Sequence, residues 1–179
     1  MTTTGQPAAL AALGAGRLAG SWTLDGARSQ VRLATKSMWG MVPVRGVFGE
    51  VSGSGTVAGA GTVTGTLTVA AASIDTKIKK RDDHLRSADF FDAANYPDIT
   101  FSVEAVSPAA DGVTVAGGLT VRGTTRPVSF AAAVSGDDGE VTIDAEVPVN
   151  RADYGLTFNQ LGMMGMKSAI TIHAVFTRQ

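Results

Sequence analysis

The side chains most able to do chemistry crowd into one stretch of this chain, RDDHLRSADFFDAANYPDITF, residues 81–101. Arg81, Arg86 and His84 stand there among Asp82, Asp83, Asp89 and Asp92. Guanidinium forks suit phosphate oxygens, so Arg81, His84 and Arg86 are candidates for holding an anionic head group. The neighbouring aspartates neutralise those arginines, which favours a structural reading in which Arg81, Asp82 and Arg86 tie a helix to the rim of a β structure. Leu85, Phe90 and Phe91 would then close that end.

Other chemistry is thinly supported. The chain has no cysteine, which excludes disulfides, thiolate metal sites and cysteine nucleophiles. Its two histidines, His84 and His173, share no HxH or HxxxH spacing, so no metal centre is expected. Met163, Met164 and Met166, in LGMMGMK, with Met38 and Met41, offer soft sulfur. Methionines of this kind more often line adaptable apolar pockets. GAGRLAG, GSGTVAG and GAGTVTG are one residue longer than the dinucleotide fingerprint and do not join a strand to a helix, so they read as turn and strand glycines. Neither GxSxG nor a P-loop occurs.

What positions this patch is mostly strand. Period-two alternation runs through Val31–Thr35, Val63–Ala71, Ile99–Ala105, Val113–Val121, Val128–Val134, Val141–Val149 and Ile170–Phe176, as in half-buried antiparallel strands. SGDDGE (135–140) and AADG (109–112) read as hairpin loops, and GTVAGAGTVTG as the two arms of a hairpin. Lys79–Ser87 breaks the rhythm with acids early and Arg86 late, which suits a short helix. Pro97 ends any helix before the strand at Ile99. The predicted inner positions are small: Gly65, Ala71, Ala105, Gly117, Ala132, Ala145 and Ala174. Pattern alone leaves two architectures open, a barrel with an unfilled bore and a thin two-sheet sandwich.

Composition sets the outer limits. With 179 residues, 44% hydrophobic, 17% charged and net charge −1, the chain suits one globular domain with no bulk field for nucleic acid or anionic membranes. No apolar run is long enough for a transmembrane helix. The first charged side chain, Arg17, follows the Ala/Leu run near the N-terminus. A signal peptide has the opposite order, so a cytoplasmic location is expected. Residues 1–20 read as a flexible tail with one helical turn from Pro7 to Leu13, and residues 21–179 as the domain.

The patch resembles the RDxHLRSxDFxxxxxYPxxTF signature of the YceI-like family, the polyisoprenoid-binding, lipocalin-like proteins. The likeness extends in order through SWTLDGARSQVRLATK (21–36), VPVRGVFGEVSG, SIDTKIKKRDDHL, GGLTVRGTTRPVSF and VNRADYGL. It departs from the family pattern in lacking a cleavable leader, in having Ser37 where many members carry a histidine, and in the Met-rich FNQLGMMGMKSA. The resemblance implies an all-β fold: an extended eight-stranded antiparallel lipocalin-like barrel with one short helix at the mouth. It implies a lumen for a long-chain isoprenoid or similar lipid, bound without catalysis and without a cofactor. On this reading the lumen is lined by Leu33, Trp39, Leu67, Val69, Phe101, Val103, Leu119, Phe130, Ala132, Ile143, Ala145, Met163, Met164 and Ile172. Arg81, His84 and Arg86 stand at the mouth. The expected partner is the lipid, with no nucleic acid and no stable membrane insertion, and homodimerisation stays open. The alternatives are a barrel enzyme, a cyclase or isomerase acting on an apolar substrate, and a fatty-acyl- or amide-binding stress protein. His173 and Glu104 fall on predicted polar faces, which weighs against an acid–base group inside the bore.

Overall fold

The structure, a computed structural model, describes residues 12–13, 15–59, 61–110, 112–159 and 165–179. The alternating segments become β1 (Gly20–Leu24), β2 (Gln30–Ser37), β3 (Val42–Phe48), β4 (Val51–Val57), β5 (Val63–Ala70), β6 (Ile74–Asp75), β7 (Asp98–Ala109), β8 (Gly112–Val121), β9 (Thr124–Gly136), β10 (Glu140–Asn150) and β11 (Lys167–Arg178). One described helix, α1 (Lys79–Arg86), lies between β6 and β7. No helix among the described residues is long and apolar enough to cross a membrane.

The sheet closes on itself in the order β1-β4-β5-β7-β8-β9-β10-β11, with β11 pairing back to β1. These eight ladders are antiparallel and leave no free edge around the sleeve. The remaining strands continue it. β2 pairs with the first half of β11, β3 with β2, and β6 with β3. Thus β1/β2, β3/β4 and β5/β6 are three long strands, each interrupted at one level. Backbone bonds bridge that level, from Gly49 N to Ser73 O (3.2 Å) and from Ala70 N to Glu50 O (3.0 Å). Past the interruptions β6 pairs with β3 but not with β7, whose ladder with β5 ends at Ala70 opposite Asp98. The sleeve therefore splays open at that end, where α1 sits.

Alternation delivers the faces as expected. Val113, Val115, Leu119 and Val121 of β8 are buried, whereas Thr114 is exposed. One expectation fails for a local reason: a bulge between Val103 and Ala105 turns Ala105 outward and brings Val106 to the inner face. The β8–β9 hairpin turns on Arg122 (φ 50°) and Gly123 (φ 73°), the left-handed pair of a two-residue turn. A Cβ on Gly123 would stand 2.8 Å from the Tyr96 ring, so glycine is needed there twice over.

The N-terminal segment also differs from expectation. Ala12 and Leu18 are buried against Trp22 and Val141, and the Trp22 indole N–H donates to Leu18 O at 2.8 Å. The described residues before Ser21 thus plug one end of the sleeve rather than fraying, because they carry the apolar surface that this end needs covered. Most of the helical turn expected at residues 7–13 lies outside the described residues.

Candidate functional site

Two apolar chambers lie in series along the barrel axis. The first, about 560 Å³, opens at the α1 end and is lined by Val31, Leu33, Phe48, Val69, Leu85, Phe90, Phe91, Leu119, Val121, Val147, Val149, Leu156 and Ile170, among others. The second, about 180 Å³, lies toward the plugged end among Leu18, Trp22, Val103, Val113, Val115, Val141, Ile143, Ala145 and Phe176. Four residues line both: Leu67, Phe101, Phe130 and Ile172. The Phe101 and Phe130 rings meet at 5.4 Å between centroids and form a waist. Part of the second chamber's wall is bare backbone, since Gly55 and Gly65 are direct cross-strand partners that line it. A Cβ on Gly65 would lie 2.8 Å from Ser54 O. Apolar cavities hold water poorly, so this bore is better matched to hydrocarbon.

Among the described residues, basic side chains line the first chamber and not the second: Lys36, Lys80, Arg81, His84 and Arg151. Each of the three α1 side chains in the candidate set has its own anchorage. Arg81 donates to Thr76 Oγ1 (2.8 Å) and Thr76 O (2.9 Å). Beside it the buried Asp82 accepts from Thr76 N (2.8 Å) and Thr76 Oγ1 (2.5 Å). The start of α1 is thereby clamped to the end of β6 without a side-chain N-cap. His84 Nε2 meets Asp89 Oδ2 at 2.9 Å, and its ring packs edge-on against Phe90 and Phe158. Arg86 turns away from the bore, donating to Ala72 O (2.8 Å) and Ile74 O (3.0 Å) and bridging to Asp83.

A residue that the sequence reading missed closes the opposite side of the mouth. Arg151 donates to Gly165 O (2.8 Å), Leu156 O (2.6 Å) and Phe158 O (2.7 Å), and its guanidinium lies 5.7 Å from the Phe90 ring centre. Burial lowers its pKa. It opens the 3₁₀ turn Arg151–Tyr154, whose Asn150 side chain accepts from Ala152 N and whose Gly155 supplies a φ of 77°. Burial raises the pKa of the neighbouring Tyr154 phenol, helped by the Asp153 charge. The sequence hint was the VNRADYGL segment, already part of the family resemblance, although no role was assigned to its arginine.

Of the lumen candidates, Leu33, Leu67, Val69, Phe101, Leu119, Phe130 and Ile172 line the first chamber, and Val103, Ile143 and Ala145 the second. Three corrections follow. Trp39 is 64% exposed on the β2–β3 turn, because left-handed backbone at Met38, Trp39 and Gly40 breaks the strand period there. Ala132 points inward but is buried among Val113 and Val115 and lines neither chamber. Arg86 does not reach the bore, since its three donors are engaged with the outer rim. Met163 and Met164 lie outside the described residues. His173 and Glu104 are exposed on the outer surface, and His173 pairs there with Asp144 at 2.6 Å.

A closed eight-stranded sleeve with a helix at its open end and an apolar bore within defines a lipocalin-like barrel. The chain belongs to the YceI-like domain family, whose family model matches residues 22–176. A UPF0312 protein of Staphylococcus aureus (strain MSSA476) is 33% identical over 149 residues, covering 78% of this chain and 84% of the relative. Among solved structures, Burkholderia cenocepacia BcnA superposes with a TM-score of 0.77 at 27% identity, covering 85% of this chain and 98% of BcnA. A polyisoprenoid binding domain from Saccharophagus degradans gives 0.71 at 17% identity, over 88% of this chain and 98% of that domain. At that identity it speaks for the fold.

Proposed function

We propose that this protein is a non-catalytic carrier, store or sequestering protein for a long apolar lipid of isoprenoid or isoprenoid-quinone type. The observation that carries the reading is the two-chamber bore, apolar along its length and charged only toward its open end. Its larger chamber falls within the roughly 300–1,000 Å³ of small-molecule sites, and the waist leads on into a second. A compact ligand would leave that second chamber vacant, whereas a chain can thread both. The polyisoprenoid-binding description of the Saccharophagus degradans domain supports the same class.

Magnitudes favour a long chain. Each buried methylene contributes about 0.8 kcal/mol, so ten contribute about 8 kcal/mol. Association costs consume about 4–15 kcal/mol. A micromolar complex, about −8 kcal/mol, therefore needs more than ten such groups.

An enzymatic reading needs an acid or base facing the bore beyond the mouth, and the second chamber has no titratable side chain among its described lining residues. Mass spectrometry of an organic extract of freshly purified protein tests the carrier reading. A near-stoichiometric isoprenoid-type chain is expected. Ligand-free protein that also fails to take up added polyprenol overturns it.

A further inference from the structure

We propose that the mouth end of the barrel is a docking face for an anionic lipid bilayer, across which ligand passes between membrane and bore. The passage rests on the carrier reading above; the docking rests on the surface itself. Met38 (43%), Trp39 (64%), Met41 (74%) and Val42 (41%) are exposed on the β2–β3 turn, and Ile78 (51%) is exposed at the entry to α1. Apart from Tyr96, these are the exposed large apolar side chains of the described residues.

They form one surface. Val44 of β3, Met38 of the β2–β3 turn and Ile78 at the entry to α1 share the lining of the first chamber, and β3 and β6 are paired just behind them. Because Met38 and Ile78 both line the first chamber and are exposed, the patch adjoins the opening of the bore. A folded domain gains nothing by holding Trp39 in water, in left-handed backbone, next to the opening of an apolar cavity.

Charge decides the occupant. Lys36, Arg45 and Lys80 surround this patch with no carboxylate partner among the described residues. Lys77 and Lys79 add two more cations, each held by one acid, Asp75 at 3.0 Å and Asp83 at 2.7 Å. Three cations remain in excess on a chain whose net charge is −1. Asp137, Asp138 and Glu140 sit at the opposite, plugged end, on the β9–β10 turn. A Trp and methionines ringed by lysines fit the headgroup boundary of a membrane: the rings and thioethers enter, and the ammonium groups reach phosphates along their own apolar stems. The depth required is that of a peripheral protein, with no spanning segment.

The test is flotation of the full chain with vesicles of equal parts phosphatidylglycerol and phosphatidylcholine, beside vesicles of phosphatidylcholine alone. A second arm measures uptake of polyprenol delivered in detergent. Wild type should float with the anionic vesicles and lose that binding at molar salt, where screening shortens to about 3 Å. Lys36→Glu with Lys80→Glu should weaken it roughly twenty-fivefold or more, at about fivefold for each cation lost. Trp39→Ala should weaken it about tenfold or more, while polyprenol uptake from detergent stays as in wild type, since Trp39 lines neither chamber. Met41→Ala provides a second apolar variant. Wild type that takes up polyprenol yet does not float overturns the docking and leaves the carrier reading standing. Flotation without polyprenol uptake supports the docking and overturns the carrier reading. Equal flotation of wild type and the Trp39 and charge-reversal variants overturns the proposal, as does a dimer in light scattering that dissociates on Trp39→Ala without any vesicle binding.

Discussion

The two ends of the barrel solve opposite problems with the same residue type. At the plugged end, Arg178 lies 5.2 Å from the Trp22 ring centre and donates to Arg17 O, while Gln179 N donates to Ser21 O. Its guanidinium fastens chain ends over a chamber whose described lining is free of charged side chains. At the mouth, Arg81, Arg86 and Arg151 fasten separate pieces of a rim, α1 on one side and residues 151–159 with Gly165 on the other, around an opening left between them. One end is sealed with apolar side chains, and the other is held apart by polar tethers. The difference assigns a direction to any amphipathic ligand: tail toward Trp22, polar end toward α1.

The contrast is broken most severely at Arg151. Arg151→Met leaves three carbonyls without their donor and should cost about 3 kcal/mol or more, read from urea unfolding. Arg178→Met should cost about 1 kcal/mol, since its Nε is already unpaired. Equal losses would mean that both ends are fastened alike.

Next in size is overpacking. Ala132→Trp enters the filled cluster around Val113 and Val115 and should cost about 1–3 kcal/mol. Ala145→Trp faces the second chamber and should leave the ligand-free melting temperature near wild type while excluding the end of a long chain. If Ala145→Trp destabilises as much as Ala132→Trp, the second chamber is too small to matter.

Arg86→Ala and Arg81→Ala should each lower ligand-free stability by about 1–2 kcal/mol. Arg86→Ala should leave lipid affinity unchanged, because its donors serve Ala72 and Ile74. A selective loss of affinity in Arg86→Ala, with stability intact, would return Arg86 to the bore.

The smallest effect is acid sensitivity. Asp83 at the mouth and Asp25 at the β1–β2 interruption are held below their ordinary value of 3.8 by hydrogen bonds from Lys79 and Arg28. A depressed carboxylate stabilises the fold above its unfolded pKa, and that contribution disappears as pH falls below about 4 through the folded value. Both pairs are solvent-exposed, so Asp83→Asn and Asp25→Asn should each reduce the slope of the acid limb slightly, and added salt should erase the difference. A mouth-specific acid transition would show that the mouth unfolds separately from the rest of the barrel.

How much of this was legible in the sequence depended on whether a feature was local. The strand faces, the hairpins and α1 follow from period-two spacing and from helix formers before Pro97, and they came through nearly intact. Ala105 did not, because a single-residue bulge inverts every face beyond it. Trp39 did not, because no propensity rule places left-handed backbone at a Met-Trp pair. Arg81 and Arg86 look equivalent in sequence, and only the packing of α1 against β6 sends one toward the bore and the other to the rim. The aligned interruptions at residues 25–29, 49–50 and 71–73 carry no common motif, and Arg151 gave no sign of its three carbonyls.

The second chamber, walled partly by bare glycine backbone, has a mechanical consequence. Hydrostatic pressure favours whichever state removes internal voids, and the unfolding volume scales with them. A barrel with about 180 Å³ of apolar space behind its waist should be soft to compression when vacant and stiffen when a chain fills it. The midpoint of pressure unfolding, followed through the buried Trp22, would then report how much of the bore is occupied without any label on the lipid.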